Sequence, residues 1–468
     1  MDWIEHIQER KSDVIKDTQA LLRHKSVLDE STATETRPFG EGIDRTYRWL
    51  LDKAKADGFT TKDIGGYAGH IEYGEGDELV GILCHIDVVP EGDGWSKDPY
   101  GAEIADGKII ARGAIDDKGP TMAAYHALKL VKDLNLPLSK RVRLIIGTDE
   151  ESQWRCVDKY FKEEEMPVTG FAPDADFPII YSEKGICDIQ YSQSVLKEQP
   201  KDVENTLVRF SSGHRLNMVP EKGEAVVKSG SPETMKTVFE EYLVQEQLQG
   251  KTSLNKEHQL VLTVQGKSVH GMEPNKGING GLELARFLNR YHWDEQGGYF
   301  LELLAEKFAR DSRGKSLGIH HINEELGDLT LNLGVLNYDQ NNGGKIGVNL
   351  RYPKGVIFTD VKKTLDKILK AYRFDGSILT HEEPHMVNED SPLIQTLSSV
   401  YEEQTGLSSK LLAIGGGTYA RSLNEGVAFG PLFPHREDVA HQPDEAIHIE
   451  DLLKATSIYA QAIYELAK

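Results

Sequence analysis

The sequence predicts an α/β protein: a mixed-sheet domain covered by helices and interrupted by a large α+β insertion. Three observations predict this. Apolar runs of buried-strand type alternate with helical periodicity over the first part of the chain. The pattern changes to half-alternating strands between about Ile186 and His381. The 468 residues exceed what one ordinary core holds.

The elements follow in order. In MDWIEHIQERKSDVIKDTQALLRH, Ile4, Ile7, Val14, Leu21 and Leu22 suit one face of a helix. IDRTYRWLLDKAKADGF reads as a second helix that stops at Gly58, a C-cap residue. ELVGILCHIDVVP and RVRLIIGTDEE are continuous apolar runs with polar ends, the pattern of strands buried on both faces. KIIARG is a shorter run of the same kind. DDKGPTMAAYHALKLVKDLN is helical, with Pro120 near its first turn, where a missing N–H costs little. In such sheets functional groups gather at the carboxyl ends of strands. In the insertion, NTLVRFSSG, QLVLTVQG, LTLNLGVLNYD and KIGVNLRYP read as strands. PETMKTVFEEYLVQEQL and FTDVKKTLDKILKAYRF read as helices between them. SPLIQTLSSVYEEQTG and IEDLLKATSIYAQAIYELA return to helix after Pro384. The first domain is therefore expected to be discontinuous, residues 1–183 and 384–468, around an insertion of residues 184–383.

Composition narrows the function. A formal charge of −21 argues against nucleic-acid binding, which rests on clustered Lys and Arg. No run approaches the roughly 18 apolar residues of a membrane-spanning helix. The charged N-terminal stretch lacks the apolar core of a signal peptide. Three widely spaced cysteines, Cys84, Cys156 and Cys187, argue for reduced thiols and a cytoplasmic location.

Several carboxylates and histidines stand at strand ends. His85 and Asp87 lie two apart, on one face if the strand continues. A metal-binding imidazole needs its second N–H oriented, and Asp87 is placed to do it. A purely structural His–Asp pair is the plainer alternative. Asp116 and Asp117 are adjacent like charges, costly near a buried site unless a cation neutralises them. An N-cap aspartate with an exposed neighbour would account for one of the two. Glu150 and Glu151 end the next strand and could divide labour, one as general base and the other on a metal. Asp174 sits in a proline-flanked turn and His441 in a loop; alone, both read as ordinary turn and surface residues. Together, Asp116, Glu151, Asp174 and a hydroxide would balance two divalent cations, with neutral His85 and His441 completing a nitrogen and oxygen ligand set.

The segments HIDVVPEGDGWSKDPYGAEI, RGAIDDKGP, TDEES, APDADFP, GKSVHGMEP, NLRYP and GGGTYAR occur in that order across nearly the whole chain. In this the sequence resembles the aminoacylase/carnosinase-type family of co-catalytic metallopeptidases, and within it the bacterial dipeptidase branch. The resemblance implies that the first domain is catalytic and that the insertion is a lid. It implies two divalent ions per subunit, zinc first, with manganese or cobalt compatible. Asp116 would bridge them, His85 and Asp174 would hold one, and Glu151 and His441 the other. It also implies Asp87 as the orienter of His85, Glu150 as general base and a cis peptide between Asp116 and Asp117. His270 matches the family's lid histidine, a donor to the oxyanion.

The expected function is hydrolysis of dipeptides, with broad side-chain tolerance and β-alanyl dipeptides among the candidate substrates, by a metal-bridging hydroxide. A related amidohydrolase, an aminoacylase or desuccinylase, is the alternative. Arg351 suits bidentate capture of a substrate carboxylate, although a surface salt bridge would also explain it. Asn217 is expected to hydrogen-bond the substrate. Gly416, Gly417 and Thr418 offer backbone N–H groups as an anion nest, or form a simple flexible turn. The expected partners are small peptides only, with no nucleic acid and no membrane, and the expected state is a monomer.

Overall fold

The computed structural model describes residues 1–196 and 203–468. The chain forms two compact units, one of Met1–Ser182, Met386–Ala413 and Thr418–Lys468, the other of Glu183–His385 and Ile414–Gly417.

The first unit is built on a mixed sheet. Six of its nine strands run in the order Thr60–Ile64, Ala68–Tyr73, Arg141–Gly147, Leu79–His85, Thr169–Ala172 and Gly426–Ala428. The two outermost pairings at the Thr60 edge are antiparallel. The next three are parallel, which sets the carboxyl ends of their strands side by side. His85 lies opposite Gly147, so the residues that follow each strand emerge at one edge. Every residue of Leu79–His85 is buried, as its unbroken apolar pattern requires of a strand covered on both faces. Helix Ile449–Ala467 packs on helix Lys118–Asp133 and on both central strands.

The N-terminal stretch forms two helices, Trp3–Glu9 and Lys11–Leu22, rather than the single helix expected. The break at Arg10 lets the first pack on Ile449–Ala467 and the second on Lys118–Asp133. Helix Glu41–Ala56 ends just before Gly58, whose φ of +80° confirms the stop.

The second unit carries an eight-stranded antiparallel sheet. Its order is Gln249–Leu254, Leu260–Gln265, Lys222–Ser229, Asn205–Ser212, Thr330–Asp339, Gly343–Tyr352, Gly185–Gln193 and Phe374–Glu382. Along Gly185–Gln193 buried Cys187, Ile189 and Tyr191 alternate with half-exposed Asp188, Gln190 and Ser192. The buried positions join a core with Phe239, Phe287, Phe300 and Leu365. Two of its helices, Gly280–Leu288 and Glu295–Leu303, are hidden in sequence by glycine pairs at their starts. Asn279 and Asp294 cap them through their side chains. A side chain at Gly281 would lie 2.5 Å from Ser212 Oγ, so glycine lets this helix close on its strand. The α/β unit and the α+β unit match the predicted fold class. Among the described residues, no helix is long and apolar enough to cross a membrane.

Candidate metal centre

Three of the four parallel strands of the first unit deliver their following residues to one place. His85 ends Leu79–His85, Glu150 and Glu151 follow Arg141–Gly147, and Asp174 follows Thr169–Ala172. The segment before helix Lys118–Asp133 adds Asp116 and Asp117, joined by a cis peptide. The loop before Ala446–His448 adds His441.

Two groups of potential metal ligands result. His85, Asp116 and Asp174 each offer an atom within 4.8 Å of the others, and so do Asp116, Glu151 and His441. Asp116 belongs to both, one oxygen for each group. Its Oδ1 lies 3.1 Å from His85 Nε2 and its Oδ2 lies 2.9 Å from His441 Nε2. Asp174 Oδ1 is 3.7 Å from His85 Nε2, and Glu151 Oε1 is 3.0 Å from His441 Nε2.

The electrostatics suit a cation. Burial, then the charge of Asp116, pushes Glu151 up to about 7. Burial and Asp116 likewise push Asp174 up to about 6, against the opposing pull of His85. Hydrogen bonds to Asp116 and Glu151 pull His441 up to about 11. A divalent ion held by neutral imidazoles would supply the positive charge that these carboxylates draw to the site. His85 Nε2 is buried and faces the Asp116 and Asp174 carboxylates without an aligned hydrogen bond to either, an arrangement that suits a shared cation. This oxygen and nitrogen donor set fits two divalent ions of the zinc, manganese or cobalt type.

Asp87 stands beside His85 Nδ1 as expected, but meets it chiefly through its backbone. Strand geometry ends at His85, so the predicted shared strand face does not extend to Asp87. His85 Nδ1 is 3.0 Å from the backbone carbonyl of Asp87 and 3.5 Å from its carboxylate. The carboxylate instead accepts from the backbone N–H groups of Glu150 and Glu151, at 3.1 and 3.0 Å. Asp87 therefore holds both glutamates by their backbone while its carbonyl orients the imidazole.

Two further residues support the centre. Asp117 is fully buried and accepts from His85 N and Thr121 Oγ1, at 3.1 Å each. Tyr419 packs edge-on against His85, with ring centroids 5.9 Å apart, and its hydroxyl lies 3.1 Å from Cys156 Sγ. A Cβ at Gly147 would fall 1.9 Å from that hydroxyl. Gly147→Ala is expected to cost about 1–3 kcal/mol by overpacking, read by denaturant unfolding of the metal-free protein. Tyr419 falls within the GGGTYAR segment, but no local pattern shows what it packs against, because its partners lie far away in the chain.

Of the predicted substrate residues, Arg351, Asn217, His270, Gly416 and Gly417 lie in the second unit and Thr418 in the first. Arg351 is 5% exposed and donates from Nε to Asn349 Oδ1 at 3.0 Å and from Nη1 to Gly415 O at 2.9 Å. The surface salt bridge considered as its alternative role does not fit this burial. Asn217 and His270 lie on adjoining segments, joined by a bridge between Met218 and His270 and by Gly271 N donating to Asn217 O at 2.7 Å. Partial burial, then the charge of Arg351, lowers the His270 pKa. The anion nest expected at Gly416, Gly417 and Thr418 is not formed. Such a nest needs alternating backbone handedness, and none of Gly415, Gly416 or Gly417 has a positive φ. Gly415 instead turns its carbonyl to Arg351, and buried Thr418 leads into the short helix Tyr419–Ser422.

Comparison with known proteins adds context to this geometry. Residues 81–465 match the model of peptidase family M20/M25/M40. The chain is 52% identical over 470 residues to "Putative dipeptidase YtjP" of Bacillus subtilis (strain 168), covering 100% of each. Human carnosine dipeptidase 1 superposes with a TM-score of 0.57 at 15% identity, covering 99% of this chain and 98% of that one. The M20 family metallo-carboxypeptidase Sso-CP2 of Sulfolobus solfataricus superposes with a TM-score of 0.58 at 18% identity, covering 97% and 99%.

Proposed function

The chain belongs to peptidase family M20/M25/M40, and from that premise we propose that it is a two-metal dipeptidase with broad side-chain tolerance. The observation that carries this reading is Asp116, whose two oxygens face two separate histidine–carboxylate groups. His85 and Asp174 would hold one ion, Glu151 and His441 the other, and Asp116 both. Two bound divalent ions supply an acidified water and a polarised scissile carbonyl.

The protein's own groups do the rest. Glu150 takes the proton of the attacking water and returns it to the leaving amine. The grip of Asp87 on the Glu150 and Glu151 N–H groups fixes their relative positions. Residues 1–183 and 384–468 act as the catalytic domain and 184–383 as a lid. In the lid, His270 donates to the oxyanion and Arg351 pairs with the substrate's terminal carboxylate. Asn217, Gly416, Gly417 and Thr418 make further substrate contacts. The three cysteines are free and buried, which suits a reducing cytoplasm. The working unit is a monomer.

A panel of dipeptides, tripeptides, β-alanyl dipeptides and N-acyl amino acids, assayed with zinc, manganese and cobalt in turn, tests the reading. Dipeptides are expected to turn over fastest. Preference for N-acyl amino acids or succinylated substrates would instead make the enzyme an amidohydrolase. Arg351→Lys is expected to raise KM for free dipeptides by about 10–100-fold through loss of a charge-assisted bidentate pair. The same change should leave C-terminally amidated dipeptides nearly unaffected, because they bring no carboxylate.

A further inference from the structure

A buried ion pair stands directly behind the second ligand group and ties its two loops together. Arg112 is 1% exposed and Glu445 is fully buried. Arg112 Nη1 meets Glu445 Oε2 at 2.5 Å. The other carboxylate oxygen of Glu445 accepts from the backbone N–H groups of Ile115 and Asp116, at 3.0 and 3.3 Å. Glu445 therefore grips the main chain at the residue whose side chain both ligand groups share. Its own backbone belongs to the other loop. Glu445 O accepts from Ala111 N at 2.9 Å, and Ala446–His448 pairs with Lys108–Ile110. His441 lies four residues upstream.

The loop between His441 and Glu445 is held in a conformation it would not choose freely. His441 and Asp444 have φ of +63° and +58°, the left-handed region, where non-glycine residues sit at a cost of about 1 kcal/mol or more. Asp444 is pinned by Ser96 N, which donates to its carboxylate at 2.9 Å. Arg112 is fixed in turn by the Glu91 carbonyl at 3.2 Å and by the Trp95 ring, 5.2 Å from its guanidinium. A buried ion pair is a weak source of stability, because desolvation offsets most of the attraction. Its geometric consequence is specific: one carboxylate links the Asp116 main chain to the His441 loop.

We infer that Glu445, braced by Arg112, is a positioning residue that sets Asp116 and His441 at the separation needed for the second metal ion. This inference rests on the two-metal reading above. The test uses the full-length protein stripped of metal and titrated with Co²⁺, read by the visible absorption of each bound equivalent. His441→Ala identifies which equivalent belongs to the second group. In Glu445→Gln, which keeps an oxygen for the two N–H groups but loses the charge, that equivalent is expected to bind about 10–100-fold more weakly with an altered spectrum. The other equivalent should bind with nearly unchanged affinity and spectrum. Arg112→Lys, which keeps the charge without the fork, should show the same selectivity at smaller size and serves if Glu445→Gln fails to fold. Unchanged binding of both equivalents beside a lower apo-protein Tm would overturn the inference, leaving a structural staple only. Equal weakening of both would also overturn it. A wild-type protein that binds fewer than two equivalents would sink the two-metal reading itself, a result distinct from the others.

Discussion

Replacing Glu150 with glutamine is expected to lower kcat for dipeptides by about 10²–10⁴-fold, the size of a lost general base, while metal content stays at two ions per chain. The prediction follows from position. Glu150 and Glu151 share the grip of Asp87 on their backbone. Only Glu151 belongs to a ligand group, with its carboxylate 3.0 Å from His441. Glu150 is thus a carboxylate brought to the centre without a place in either ligand set. Glutamine keeps its shape and removes its capacity to accept a proton. Because Asp87 holds main-chain N–H groups, the substitution leaves that grip intact. Elemental analysis alongside steady-state kinetics separates the two effects. Lost metal together with lost activity would mean that Glu150 is a ligand and the proton acceptor lies elsewhere.

The second large effect is expected at Asp116. Asp116→Ala should abolish retention of both ions and lower activity by about 10³-fold or more, since the water-activating charge goes with them. Asp174→Ala and His441→Ala should each remove one. The contrast is the informative part, because only a shared ligand makes one substitution worth two ions. Isothermal titration of the metal-free variants reads the stoichiometry directly. If Asp116→Ala kept one tight equivalent, the residue would belong to a single ion.

Part of this candidate centre is legible in sequence because strand ends are legible, while the places of Asp174 and His441, ordinary turn and loop residues on their own, follow from the family resemblance. The apolar runs ending at His85 and before Asp149 announce buried parallel strands, and chemistry at their carboxyl ends follows from the fold class. What was not legible depends on where a strand stops and on contacts distant in sequence. Strand alternation extended past His85 predicts that the Asp87 carboxylate serves the imidazole, whereas the strand ends at His85 and that carboxylate holds the two glutamate N–H groups. Tyr419 and Glu445 act on His85 and on the Asp116 segment from the other end of the chain. No local pattern encodes those contacts. The glycine run at Gly415–Gly417 shows the limit of composition: it permits a nest, and the backbone takes another path that offers a carbonyl to Arg351.

The central claim is that one carboxylate joins two metal ions in the first unit. It is tested most directly by electron paramagnetic resonance of the protein during titration with Mn²⁺. A shared Asp116 predicts that the isolated-ion signal of the first equivalent gives way to an exchange-coupled spectrum as the second binds. Two uncoupled signals growing additively, or saturation at one equivalent, would contradict it.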